Sequence, residues 1–336
     1  MASSTASEIW SETLSGWPSE TDSDVNRNSF FIAGNPSVAQ ARHFSKRLKL
    51  LFRLLARLPL AANHALGAFA GRLVYFLSPR YRRRLVENLQ NSDLVPAPEY
   101  VRRFAQENAA EIGKGATELA WALFRADEVV GLVRECIGWE AVEALRRANQ
   151  PILFVTPHLG AYDVAGRYLW SRLPILAMYR PHKIFWIDQL LREGRNRGAA
   201  PDGTNVAPAN MAGVRMVLKH LRRGGSTVVL PDQVPGLGEG EWADFFGRPA
   251  YTMTLLGRLQ EASGAAIVFC YAERLPRAGG FRLHLDPLLE PLPTDRRAAA
   301  RCVNAAVEKL IRSCPAQYLW GYNRYKRPAG APPPPA

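Results

Sequence analysis

The sequence predicts an α/β fold preceded by a membrane-associating helical segment, and three observations carry that expectation. From Asn149 onward, short apolar runs alternate with amphipathic segments, the pattern of strands and covering helices in turn. Between Arg42 and Arg84 eleven Lys or Arg residues stand without a single acid, in the same stretch as the most apolar run near the N-terminus, Leu48 to Leu77. The length of 336 residues suffices for one large domain of roughly 200 to 250 residues plus accessory segments.

Residues 1–40 read as a flexible polar tail, because Trp10, Leu14, Trp17, Phe30, Phe31 and Ile32 show no sustained period. No basic n-region followed by an apolar core marks a secretory signal there, so the chain is expected on the cytoplasmic side. Cys136, Cys270, Cys302 and Cys314 have irregular spacing and no C-x-x-C pair, as ordinary thiols in a reducing compartment would.

Residues 41–85 form the basic apolar segment. The chain has 43 Lys plus Arg against 30 Asp plus Glu, a net charge of +13, and this block holds eleven of those charges. A nucleic acid or an anionic membrane would explain such a block, each cation near a lipid surface being worth about 1 kcal/mol. The aliphatic content decides for lipid and against nucleic acid, which has no need of Leu50, Leu51, Leu54, Leu55, Phe69, Leu73 and Phe76. The longest uncharged window, Leu58 to Gly71, has only fourteen residues and includes Pro59, Asn63 and His64, whereas a spanning helix needs about 18 to 20 apolar residues. An interfacial or shallowly inserted helical hairpin is therefore expected, the alternative being a basic amphipathic helix packed on the protein's own core.

Residues 86–145 read as a helical segment packing on the core, with helices over Arg82–Gln90 and Glu99–Phe124 interrupted at Pro96 and Pro98. Residues 146–327 are the α/β core. Its strands are expected at Ile152–Thr156, Ile175–Tyr179, Ser226–Leu230, Ala265–Ala272 and Phe281–Leu285. Its helices are expected at Tyr162–Leu173, Phe185–Arg195, Met211–Arg222, Thr252–Ala262 and Asp295–Ser313. Residues 328–336, with the run Pro332 to Pro335, should be a short solvated Pro-rich tail.

Ligands of open α/β sheets sit outside the carboxyl ends of the strands, and three strand exits here carry unusual residues. After Ile152–Thr156 comes Pro157-His158-Leu159-Gly160-Ala161-Tyr162-Asp163. From the first turn of the next helix Asp163 can reach back to His158, fix its tautomer and raise its basicity. A helix-capping Asp163 beside a turn-filling His158 is the plainer reading of the bare spacing. The second exit places Arg180 beside His182 and Lys183, a planar donor suited to phosphate or carboxylate, or else an ordinary surface pair. The third, Leu230-Pro231-Asp232-Gln233-Val234-Pro235-Gly236, is a loop able to line a pocket, or a solvated turn. Walker, dinucleotide-binding and G-x-S-x-G motifs are absent, and no second His stands at metal-ligand spacing. No cofactor or metal is therefore expected. A His/Asp dyad with no side-chain nucleophile suits direct transfer to a bound hydroxyl.

These motifs together, His158-x4-Asp163, Tyr179-Arg180-Pro181, Leu230-Pro231-Asp232-Gln233, Pro315 to Trp320 and Arg324-Tyr325-Lys326, resemble the bacterial lipid A late acyltransferases of the H-x4-D/E superfamily. The likeness runs from about Phe44 to Pro328 and takes in Ser78 to Arg82, Glu87-Asn88-Leu89 and Gly194-Arg195; the polar extension before residue 40 has no counterpart. It implies an acyltransferase-type mixed sheet flanked by helices, at the cytoplasmic face of the inner membrane. The implied reaction moves a fatty acyl chain from acyl carrier protein, the donor substrate, to a hydroxyl of a Kdo-bearing lipid A precursor. His158 would be general base, Asp163 its orienter, and Arg180 and the Asp232 loop would hold the acceptor, with oxyanion donors expected among the amides near Gly160. The basic block would meet anionic inner-membrane lipids. Alternatives are a lysophospholipid, glycerol phosphate or amino-acid lipid as acceptor, water as acceptor, or a non-catalytic membrane-surface binding protein.

Overall fold

The computed structural model describes residues 49–95, 97–179 and 206–334. Residues 49–57 are helical and lead into α1 (Leu60–Leu77), which is followed by α2 (Pro79–Gln90), α3 (Pro98–Phe124) and α4 (Ala126–Gly131). Pro59, directly before α1, and Pro79 at the start of α2 punctuate the chain, and the Ser78 hydroxyl caps α2 by accepting from the Tyr81 amide. α1 and α3 cross at glycines. A Cβ on Gly71 would lie 1.9 Å from the Ala109 carbonyl oxygen, and one on Gly113 would lie 2.0 Å from that of Gly67, so only hydrogen fits where the two backbones touch.

The opposite face of this segment is apolar and bare. Eight of the fourteen large exposed hydrophobics among the described residues lie between Leu50 and Leu77, with Leu66, Phe69, Leu73, Phe76 and Leu77 at helical spacing on α1. Among the described residues no helix is long and apolar enough to cross a membrane.

The core then builds in chain order: β1 (Val133–Ile137), α5 (Trp139–Arg147), β2 (Ile152–Val155), α6 (Tyr162–Trp170), β3 (Ala177–Tyr179), β4 (Val206–Pro208), α7 (Met211–Leu221), β5 (Ser226–Val229), β6 (Gly240–Phe245), β7 (Arg248–Met253), α8 (Leu255–Ser263), β8 (Ala266–Arg274), β9 (Phe281–Pro287) and α9 (Arg296–Ser313). The main sheet has five strands in the order β1-β9-β8-β2-β5, parallel except for the antiparallel β8/β9 pair. β2 is buried on both sides, and its alternation divides the core. Leu153 and Val155 join Ile267, Phe269 and α9 on one face; Ile152 and Phe154 join Val268, Cys270 and α6 on the other.

The strands expected in the core are present within one or two residues, except that only Ala177–Tyr179 of the second is paired as a strand. Three expectations need correction. The stretch 86–145 is not wholly helical, since β1 enters the main sheet beside β9; its exposed Arg134 and Glu135 are the charges that protect an edge strand and that hide its period. β6 and β7 form an unexpected hairpin, so Thr252 lies in a strand that ends at Met253, and the helix begins at Leu255. Its two-residue turn is Phe246-Gly247, with φ of 48° and 70°, and a phenylalanine is a poor signal for a turn that normally takes Asn or Gly there. The chain end is docked and not fully solvated: Ala331 is buried against Val234, Trp242, Tyr251 and Tyr322, and the Trp242 indole donates to the Pro332 carbonyl at 3.0 Å. The helix expected at Phe185–Arg195, the Gly194-Arg195 turn and the tail 1–40 lie outside the described residues.

Candidate active site

The loop between β2 and α6 is fixed at almost every amide. Thr156 N–H donates to Val229 O at 3.0 Å, Leu159 to Pro157 O at 2.7 Å, Gly160 to Gln317 O at 3.0 Å and Ala161 to Ala272 O at 2.8 Å. The His158 carbonyl accepts from the Leu319 amide at 3.0 Å. Gly160 has φ +63°, and a Cβ there would sit 2.1 Å from the Ala272 oxygen, so the approach of loop to strand demands glycine. The amides of Leu159, Gly160 and Ala161, among which oxyanion donors were expected, are thus already engaged within the protein.

His158 is 5% exposed and Asp232 4%. One Asp232 oxygen lies 2.8 Å from His158 Nδ1, and the other accepts from the His158 backbone N–H at 2.9 Å. The same carboxylate therefore fixes both the ring and its backbone. Burial alone would push the Asp232 carboxyl up; the facing imidazole, through charge and hydrogen bonds from ring and amide, holds it below the ordinary carboxylate range. With Nδ1 as donor to Asp232, the lone pair of His158 is on Nε2. There the Gln233 amide nitrogen stands 3.2 Å away, while Gln233 Oε1 is buried with no hydrogen-bond partner. The Tyr162 ring meets the imidazole edge-on at 5.1 Å.

Asp232 has further neighbours. Burial first, and then the Asp232 charge, keep the Tyr318 phenol protonated far beyond its usual range. Arg324 is buried, donates to Tyr251 O at 2.8 Å and to the Thr252 hydroxyl at 2.6 Å, and is lowered by burial while the Asp232 charge works in the opposite direction.

A second buried network braces the loop from behind. Arg274, on β8, donates to Gly160 O at 2.9 Å, to Glu118 of α3 at 2.7 Å and to Glu111 at 3.2 Å. His64 of α1 sits 2.5 Å from the same Glu118 oxygen. Burial opposes the Glu118 charge, but Arg274 and then His64 hold its carboxyl below the usual range.

Of the residues singled out in the sequence, His158, Gly160 and Asp232 converge at this exit. Asp163 occupies the first turn of α6, half-buried, one residue after Tyr162. Arg180 lies outside the described residues. Sequence reasoning assigned nothing to Gln233, Tyr318 or Arg324, although each stood inside a segment quoted for the resemblance. Arg274 and Glu118 had no local signal, their contact spanning 156 residues of sequence.

Fold and site define a class, an α/β protein that presents a buried, carboxylate-bound imidazole at a strand exit, an arrangement able to accept a proton. Residues 43–327 match the family model described as bacterial lipid A biosynthesis acyltransferase. The chain belongs to that family and is an acyltransferase of lipid A biosynthesis. It is 31% identical to the lipid A biosynthesis palmitoleoyltransferase of Escherichia coli (strain K12) over 232 residues, 67% of this chain and 72% of that one. It is 27% identical to the lipid A biosynthesis lauroyltransferase of the same strain over 282 residues, 83% and 90% of the two chains. To the myristoyltransferase of that strain it is 27% identical over 259 residues, 76% and 77%.

Proposed function

We propose that this protein transfers a fatty acyl chain from acyl carrier protein to a hydroxyl of a Kdo-bearing lipid A precursor, with His158 as general base. The observation that carries the assignment of the base is the 2.8 Å contact between Asp232 and His158 Nδ1. It leaves Nε2 as the proton acceptor, at the position where the Gln233 amide now stands. The acceptor hydroxyl takes that position, and its oxygen attacks the thioester carbonyl as its proton passes to Nε2. The C–S bond then breaks, and the imidazolium returns the proton to the departing thiolate. Acyl chain moves from sulfur to oxygen with no acyl-enzyme and no cofactor.

In this reading Asp232 orients the base, and Asp163 adds negative charge from the adjacent helix turn. Arg180 holds a phosphate of the acceptor. The bare apolar face of α1 and its flanking cations rest on anionic lipids at the cytoplasmic face of the inner membrane.

Acyl transfer read by mass spectrometry tests the reading, with wild type and His158→Ala membranes side by side. The expected result is a precursor one acyl group heavier from wild type, and a rate at least about 100-fold lower from the variant. Equal rates would remove His158 as base. Donor consumed with acceptor unmodified would make water, or another lipid, the acceptor.

A further inference from the structure

The arginines of α2 form a feature that the proposed chemistry does not use. Arg80, Arg83, Arg84 and Glu87 recur at three- and four-residue spacing, so they share one helix face, and that face walls a cavity of about 480 Å³. Arg248 from β7 closes it, with Asn323 and Tyr325 alongside. Four guanidiniums thus surround one carboxylate. Arg80 and Arg83 carry no side-chain hydrogen bond or ion pair among the described residues, while the Arg248 guanidinium sits over the Tyr325 ring, 3.9 Å from its centre, which restrains it. Half-buried Lys326 stands beside this face, its ammonium pKa lowered by burial first and then by the Arg84 charge.

Two connections place this cavity. Phe76 and Leu77, the end of the exposed apolar face, stand just before α2 in the chain, which sets the arginines at headgroup depth when that face meets lipid. Asn88 of the same helix donates to Trp320 O at 2.7 Å and Tyr322 O at 3.0 Å. That segment also holds the catalytic loop through the Leu319 amide on His158 O. From Tyr318 to Tyr325 is seven residues, at most about 25 Å even if fully extended.

We propose that this cavity binds a phosphomonoester of the glycolipid acceptor, a second anion site besides Arg180, while the reacting hydroxyl lies at His158. The assignment rests on the functional reading above. Planar, bidentate donors match phosphate oxygens, and a dianion offsets the surplus charge. The site fixes the acceptor by its phosphate and thereby selects which hydroxyl reaches the base.

The test uses the full chain in uncharged detergent micelles, where headgroup attraction is absent. Calorimetry titrates the phosphorylated precursor, and the same precursor after phosphatase treatment, into wild type, Arg80→Gln/Arg83→Gln and Arg248→Gln. Arg80 and Arg83 are exposed, so their replacement leaves the core intact. The expected result is at least about tenfold weaker binding of the phosphorylated precursor by the variants, the scale of lost charged hydrogen bonds, with no change for the phosphatase-treated one. Equal affinities in variant and wild type overturn the site. A loss seen only on anionic vesicles, and not in micelles, overturns the acceptor assignment in favour of a bilayer headgroup. Wild type that binds the phosphorylated precursor more tightly than the treated one but transfers nothing overturns the functional reading and leaves the site standing.

Discussion

At His158 the two ring nitrogens face different partners, and each partner carries its own prediction. Asp232→Asn keeps the shape but can present an N–H to Nδ1 and stabilise the wrong tautomer. Turnover should fall at least about 100-fold with the thermal midpoint nearly unchanged; a mild effect would shift the orienting role to Asp163. Gln233→Glu places a carboxylate at Nε2, which favours the imidazolium over the neutral base. The acid limb of the kcat/KM profile should move to higher pH by about one unit, and an unmoved limb would show that Gln233 does not face the base in the working enzyme. His158 stood out in the sequence less by its bare spacing than by following an apolar strand among several ordered motifs that agree with one another. Its pairing with Asp232 was not: hydrogen bonding across 74 residues leaves no trace in local spacing, whereas Asp163 lies close by in sequence.

Among the elements, the crossing of α1 and α3 is the least forgiving. Gly71→Val would drive a side chain into the Ala109 carbonyl, 1.9 Å from where its Cβ must sit. Such overpacking costs about 1–3 kcal/mol or more and should lower the thermal midpoint clearly. Gly166→Ala is the matched control, since nothing lies within 4 Å of the Cβ it adds in α6; it should leave stability equal or raise it by up to about 1 kcal/mol. If both behaved alike, the tight crossing would not be a constraint. The strands that sequence located are buried runs: Ile152–Val155 is central and apolar throughout, and Ser226–Val229, its neighbour at the end of the sheet, is buried at all but Val228. Those it missed depend on context. β1 has a charged, exposed middle, and the β6–β7 hairpin turns on a phenylalanine held at positive φ by its neighbours.

For the molecule as a whole, the Glu118–Arg274–His64 network joins the apolar N-terminal helices to the sheet. Because the folded Glu118 pKa is depressed, its contribution is fully present above the unfolded value of about 4.3 and is lost as pH falls through the folded one. Wild type should therefore lose stability steeply in strong acid, and Glu118→Gln should flatten that loss while costing about 3 kcal/mol at neutral pH. Thermal midpoints measured against pH check both, and parallel curves would remove Glu118 from the account. The same network has a practical consequence for any attempt to trim the apolar N-terminal helices. Cutting the chain after α1 would strip His64 from a buried carboxylate and loosen the arginine that grips the Gly160 carbonyl, so catalysis should suffer along with solubility. Polar replacements of Phe69, Leu73 and Phe76 avoid this, because those side chains are exposed; the outer face of the helix can be redesigned where the helix itself cannot be spared.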